Sequence, residues 1–198
     1  MSAQPKEAED GMTVAEFLVW AEQRSGRWRL VDGRPVAMAR ANRTHGALQN
    51  ELGRLIGNAL VENGAPCSVV ADPGVVPRVL AHKNVRVPDL AVVCSGYVAE
   101  QATLSEPVVA IEILSPGDQS QTWSNVWTYT TIPTMQEIAV FETKSLGAKL
   151  LRRLPDGGWP EEPQTIASGD FVLESVNVRF PLAAAYRTTR LSAVGAGG

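Results

Sequence analysis

Arg86-Val87-Pro88-Asp89-Leu90-Ala91-Val92-Val93, followed by Glu106-Pro107-Val108-Val109-Ala110-Ile111-Glu112-Ile113-Leu114-Ser115-Pro116, decides how this chain is read. Each half is a short β-branched apolar run bounded by proline, the composition of a buried strand. Each also carries one carboxylate, Asp89 or Glu112. An acid in such a run is costly to desolvate unless a cation offsets it. If the two runs pair as neighbouring strands, Asp89, Glu112 and the main-chain carbonyl of Ile113 form a hard-oxygen set suited to Mg2+ or Mn2+. An ion held there polarises a phosphoryl oxygen and acidifies water, the two tasks of phosphodiester hydrolysis. The competing reading makes Pro88-Asp89 a turn and pairs Glu112 with Arg86.

Outward from this pair, the pattern describes one α/β domain with a mixed central sheet. Thr13-Val14-Ala15-Glu16 is a capping box opening a helix that runs to about Gln23, with Phe17 and Trp20 on one face. Residues 28–38 read as two strands around an Asp32-Gly33 hairpin turn. A longer helix is predicted over 44–62 from the spacing of Leu48, Leu52, Leu55, Ile56, Ala59 and Leu60, with Gly64 as its stop. Short strands follow at 67–71, 74–77, 88–94, 108–114, 137–142 and 148–153. A helix over 122–131 interrupts them, its apolar stripe formed by Trp123, Val126, Trp127 and Thr130. Asp156-Gly157-Gly158 is a turn, residues 171–180 are too mixed to assign, and 181–186 start a last short helix. The domain is expected over 12–190, between a disordered N-terminus (1–11) and a flexible tail (191–198).

With 198 residues, 44% of them hydrophobic, the chain has material for one core. Its net charge of −3 excludes a generally basic nucleic-acid coat and leaves room for a local basic groove. No apolar run reaches membrane-spanning length and no secretory signal opens the chain, so the expectation is a cytoplasmic protein without a membrane partner. Cys67 and Cys94 lie beside apolar strand residues with no second Cys or His at zinc spacing, which predicts two buried thiols.

The joint pattern resembles the Uma family of restriction endonucleases, within the PD-(D/E)XK nuclease superfamily. The resemblance spans residues 13–186. Beside the two acid-bearing runs it is carried by Leu30-Val31-Asp32-Gly33 before the first long helix, His45 opening that helix, and Ile132-Pro133-Thr134-Met135-Gln136-Glu137 after the second. It implies a restriction-endonuclease-like fold, a mixed β-sheet flanked by helices, with DNA as the partner. It also implies that Asp89 and Glu112 are the metal-binding acids and that His45 falls on a histidine recurrent in the family. His45 stands three residues before Leu48 and so faces inward, either as a satisfied core residue or as a ligand, water holder or phosphate donor. Glu51, on a neighbouring stripe, is expected to be solvated.

The chain departs from the family pattern in three places. The superfamily lysine two residues after the second acid is Leu114 here. In the Uma family the lysine moves to the next helix, in an Asp…Lys…Tyr stripe whose counterparts here are Gln121, Asn125 and Tyr129. Two amides can still hydrogen-bond across a helical turn, but they supply no charge. Arg29 stands where many relatives carry an acid.

Among other cations, Arg86 is expected on the strand face opposite Asp89. Lys83 lies in a loop that could fold over the site, and Arg43 at a helix start could meet a phosphate. Lys144, Lys149 and the pair Arg152-Arg153 read as surface. Ser115-Pro116-Gly117-Asp118 reads as a strand-to-helix turn rather than a nucleophile elbow. Trp123 and Trp127 read as core, and Tyr129 as the rim of the site. The resulting expectation is a divalent-metal-dependent endonuclease with Asp89, Glu112 and His45 as its catalytic residues. The alternative is a catalytically impaired binding or assembly module on the same fold. A homodimer would suit cutting of both strands.

Overall fold

Alternation of side chains along one six-stranded sheet sets which residues meet the site. The structure, a computed structural model, describes residues 11–96, 102–114 and 119–193. The expected disorder of residues 1–10, the 115–118 turn and the end of the tail from 194 lie outside the described residues.

Helix α1 (Val14–Glu22) begins at Thr13, whose hydroxyl accepts the Glu16 amide while Glu16 takes the Thr13 amide, the expected capping box. Strands β1 (Trp28–Val31) and β2 (Arg34–Ala37) form an antiparallel hairpin. Its turn residues Asp32 and Gly33 both have positive φ, as a two-residue turn matched to strand twist requires. Helix α2 (Arg43–Glu62) closes at Gly64, whose φ is 67°. There the Gly64 amide bonds the Val61 carbonyl and the Ala65 amide bonds the Leu60 carbonyl, a Schellman motif.

The sheet follows from β3 (Ser68–Ala71), β4 (Leu90–Val93), β5 (Pro107–Ile113), β6 (Glu137–Phe141), β7 (Ala148–Arg152) and β8 (Gln164–Ile166). They lie in the order β3-β4-β5-β6-β7-β8. All neighbours are antiparallel except β5 and β6, which are joined through helix α3 (Gln119–Tyr129). A parallel pair needs such a crossover. A separate hairpin of β9 (Asp170–Leu173) and β10 (Val178–Pro181), then α4 (Leu182–Ala185), completes the domain.

One sheet face, through Val92, Val109 and Ile111, packs on Leu48, Leu52 and Ile56 of α2 and on Phe171 and Phe180 of the hairpin. The other, through Ala110, Leu114, Ile138 and Val140, packs on Val126 and Tyr129 of α3. With period-two alternation, Glu112 falls between Ala110 and Leu114 and so faces α3. At the domain's margins, a Cβ on Gly11 would meet the Gly33 backbone, and Leu191 packs against the main core.

Several expectations are corrected. The strand over 74–77 reduces to bridges at Val75, and β8 was not foreseen. The mixed segment 171–180 is the β9–β10 hairpin. Helix α3 buries Thr122, Asn125, Val126 and Tyr129, one position out of phase with the tryptophan stripe, and Trp127 is 43% exposed. Cys67 and Cys94 are not thiols but a disulfide. The register Ser68↔Val93, carried one residue outward, sets them opposite each other. Glu51 is buried rather than solvated, held by Arg54 and Arg187. No described helix is long and apolar enough to cross a membrane.

Candidate active site

The β4–β5 register pairs Leu90 with Ile111. Carried one residue further, it sets Asp89 directly across from Glu112, on the same face. Each acid is only 6% exposed.

Asp89 is held from two sides. Its Oδ2 accepts the Ile113 amide at 2.7 Å, and its Oδ1 lies 2.8 Å from His45 Nε2 in the first turn of α2. One helical turn on, Gln49 donates through Nε2 to the Asp89 carbonyl at 2.9 Å and to Asp72 Oδ1 at 2.9 Å. Asp72 is also ion-paired with Arg27. Gln49 was missed by the sequence reading. Its signal was available, because it stands at i+4 from His45 and shares that residue's helix face.

Glu112 is held from α3. Tyr129 donates its hydroxyl proton to Glu112 Oε1 at 2.7 Å, and Asn125 Nδ2 donates to the same oxygen at 3.4 Å. Gln121 Nε2 donates to Asn125 Oδ1 at 3.2 Å, so Gln121, Asn125 and Tyr129 do converge along one helix face. Burial and then the Asp89 charge push the Glu112 carboxyl up to about 8, against the lowering effects of Tyr129, Asn125 and the Arg29 charge. Burial and the neighbouring Glu112 push the Tyr129 phenol well above its ordinary range, which keeps it a neutral donor.

Tyr129 is therefore not on the rim, as expected, but fully buried beneath the acid. The competing pairing of Glu112 with Arg86 does not form, since Glu112 makes no ion pair among the described residues, and Pro88-Asp89 leads directly into β4. Leu114 sits in the core against α3 and offers no cation. Arg43 opens α2 with an exposed side chain, and Lys83 is anchored through its carbonyl to the Gly33 amide at the hairpin turn. Neither Arg43 nor Lys83 shares a hydrogen bond with the acids among the described residues. Lys149 lies over the Trp123 ring, 5.3 Å from its centroid.

The donor set fits a hard divalent cation. Burial and mutual repulsion keep two opposed carboxylates from both ionising cheaply, and a cation between them would favour the doubly ionised pair. Each Asp89 oxygen carries one bond and keeps a second lone pair, and Glu112 Oε2 is engaged by no described hydrogen bond, whereas Oε1 already accepts two. No group of three or more His, Cys, Asp or Glu side chains converges among the described residues. Two carboxylates are nevertheless the sparse protein share that Mg2+ uses, the rest being water and substrate oxygens.

The family model described as "Uma2: Putative restriction endonuclease" matches residues 14–179. Among solved structures, one described as "a putative nuclease belonging to DUF820 from Anabaena variabilis" superposes with a TM-score of 0.70 at 17% identity, covering 88% of this chain and 97% of that one. At that identity the likeness speaks for the fold. No curated protein matches.

Proposed function

The chain belongs to the Uma2 family, and from that premise we propose that it is a nuclease hydrolysing DNA phosphodiester bonds with Mg2+ or Mn2+ held by Asp89 and Glu112. The observation that carries this reading is the placement of the two buried acids directly across β4 and β5 on one face. When bound, such an ion polarises the phosphoryl group and acidifies water beside it.

The chain's own residues set the geometry for this. His45 and the Ile113 amide fix the Asp89 carboxylate from opposite oxygens. Tyr129 and Asn125 fix Glu112 through one oxygen, and no described hydrogen bond or ion pair engages the other. Anchoring both acids on paired strands keeps their separation constant, the preorganisation that positioning catalysis requires. DNA is the partner that suits a phosphodiester-directed acid pair in this family.

Nicking of supercoiled plasmid with Mg2+ or Mn2+ tests the proposal. Asp89→Asn and Glu112→Gln should each abolish it, and His45→Ala should slow it. Intact plasmid and oligonucleotide duplexes after long incubation with both ions would remove the reading.

One observation favours a second reading, a nuclease-fold binding or assembly module impaired in catalysis. Leu114 and Asn125 stand at both positions where a site lysine would be expected, and Asn125 engages Glu112 as a neutral donor. On that reading DNA binding persists without cleavage, and Gln121→Asp with Asn125→Lys gains cleavage.

A further inference from the structure

The antiparallel bridge Leu30↔Val85 is closed by both its hydrogen bonds, Leu30 amide to Val85 carbonyl at 2.9 Å and Val85 amide to Leu30 carbonyl at 3.0 Å. That register sets Arg29 directly opposite Arg86, with both side chains on the face away from Leu30 and Val85. Leu30 and Val85 pack on Phe17 of α1. A second closed bridge, Val75↔Arg86, aligns the arginine face with Val75, which packs in the cluster containing Leu114, Val126 and Tyr129. Two guanidinium groups thus share the face that looks towards Tyr129, whose hydroxyl holds Glu112.

This arrangement is costly as it stands. Like charges directly opposite each other across two strands destabilise the pair. Arg86 is only 4% exposed, and the one hydrogen bond of its guanidinium among the described residues is a long one, Nη1 to the Leu30 carbonyl at 3.4 Å. The Nε atoms of both Arg29 and Arg86 are buried without a hydrogen-bond partner. Neither arginine forms an ion pair with a described carboxylate. The Asp32 charge favours the charged form of Arg86, but Asp32 forms no ion pair with it and accepts the Asn84 side-chain amide on Oδ1 at 3.0 Å. Buried unsatisfied donors are rare in folded proteins, and two of them on facing arginines offer matched N–H groups to an anion that both can bind.

We propose that Arg29 and Arg86 form a phosphate-binding clamp beside the Asp89–Glu112 pair, and that it supplies the positive charge which Leu114 and Asn125 do not. The ligand class is a phosphoryl group, a phosphodiester of the nucleic-acid strand. Planar guanidinium forks suit its oxygens, and their charge would count most as negative charge grows on the reacting phosphate. The electrostatics agree with this placement: the Arg29 charge lowers the Glu112 carboxyl and the Arg86 charge lowers the Tyr129 phenol, so both arginines act on the site. The assignment of the phosphoryl group to a DNA strand rests on the nuclease reading; the anion site itself does not.

The test uses the full chain in chelator, without divalent metal, and inorganic phosphate as the probe. Phosphate should raise the melting temperature of the wild type in a saturable way, and chloride at equal ionic strength should not. Arg29→Gln and Arg86→Gln should each weaken the half-saturating phosphate concentration at least tenfold. Without phosphate, each variant should melt at or above the wild-type temperature, because removing one arginine relieves the facing charges. An arginine with only a structural role would lower it instead. Should Arg86→Gln fail to fold, the less buried Arg29 carries the same test. Phosphate stabilisation unchanged in both variants, or absent from the wild type, overturns the clamp even if plasmid is cleaved. Phosphate binding lost in the variants while the wild type leaves DNA intact keeps the clamp and removes the nuclease reading.

Discussion

At the scale of single residues, the contact that decides the state of Glu112 is the Tyr129 hydroxyl. Replacing Tyr129 with Phe keeps the ring and removes the 2.7 Å donor, leaving Glu112 Oε1 to the 3.4 Å Asn125 contact. The hydrogen bond lowers the Glu112 carboxyl against burial, so its loss moves that carboxyl further up. A buried acceptor stripped of its better donor costs about 1–3 kcal/mol. Tyr129→Phe should therefore lower the unfolding free energy in urea by about that much, with an unchanged m-value. An unaltered midpoint would show that Asn125 alone suffices. The acids were legible in sequence because a carboxylate in an apolar run demands an explanation by itself. The depth of Tyr129 was not. Two helical stripes one position apart fit α3, and the one containing both tryptophans is the more apolar. The other wins because Glu112 needs donors, a requirement visible only once β5 and α3 face each other.

At the scale of elements, β3 and β4 carry the outer half of the site: Asp89 precedes β4, and Asp72, which shares Gln49 with it, follows β3. The Cys67–Cys94 disulfide closes the other end of this strand pair, joining residues 27 apart in sequence. By loop-closure entropy such a ring contributes about 3.5 kcal/mol. Cys67→Ser with Cys94→Ser, or reduction of the wild type, should lower the unfolding free energy by about 2–4 kcal/mol, measured by denaturant titration with and without a thiol reductant. A midpoint insensitive to reductant would show that the strand pairing holds without the cross-link. The bond also bears on compartment, since reducing cytosol opens most disulfides. Element types along the chain followed from periodicity and turn chemistry: the capping box, the Asp32-Gly33 turn and the Gly64 stop all stand where local physics puts them. The pairing of Cys67 with Cys94 did not, because it depends on strand register, and nothing local in either strand fixes that.

At the scale of the whole molecule, the proposed nuclease reading requires an acidic chain with a net charge of −3 to hold DNA through a few well-placed cations rather than a basic surface. The clamp of Arg29 and Arg86 provides two. Arg43, exposed at the start of α2 and two residues before His45, is a third, and the positive end of the helix dipole lies beside it. Two phosphate contacts, one in the clamp and one at Arg43, give a slope of about −1.8 for log affinity against log salt, so a fourfold rise in salt weakens binding about twelve-fold. Fluorescence anisotropy with a labelled duplex, in chelator to prevent cleavage, measures that slope. Arg43→Gln should lower its magnitude by about 1 and weaken all sequences alike, as a phosphate contact does. A slope in the range of six to ten contacts would mean that DNA lies across a much wider face than the acid pair and its arginines define. The overall charge excluded a basic coat from sequence alone, but the grouping of these few cations could not be seen there. Arg29 and Arg86 lie far apart along the chain and meet only because Leu30 pairs with Val85.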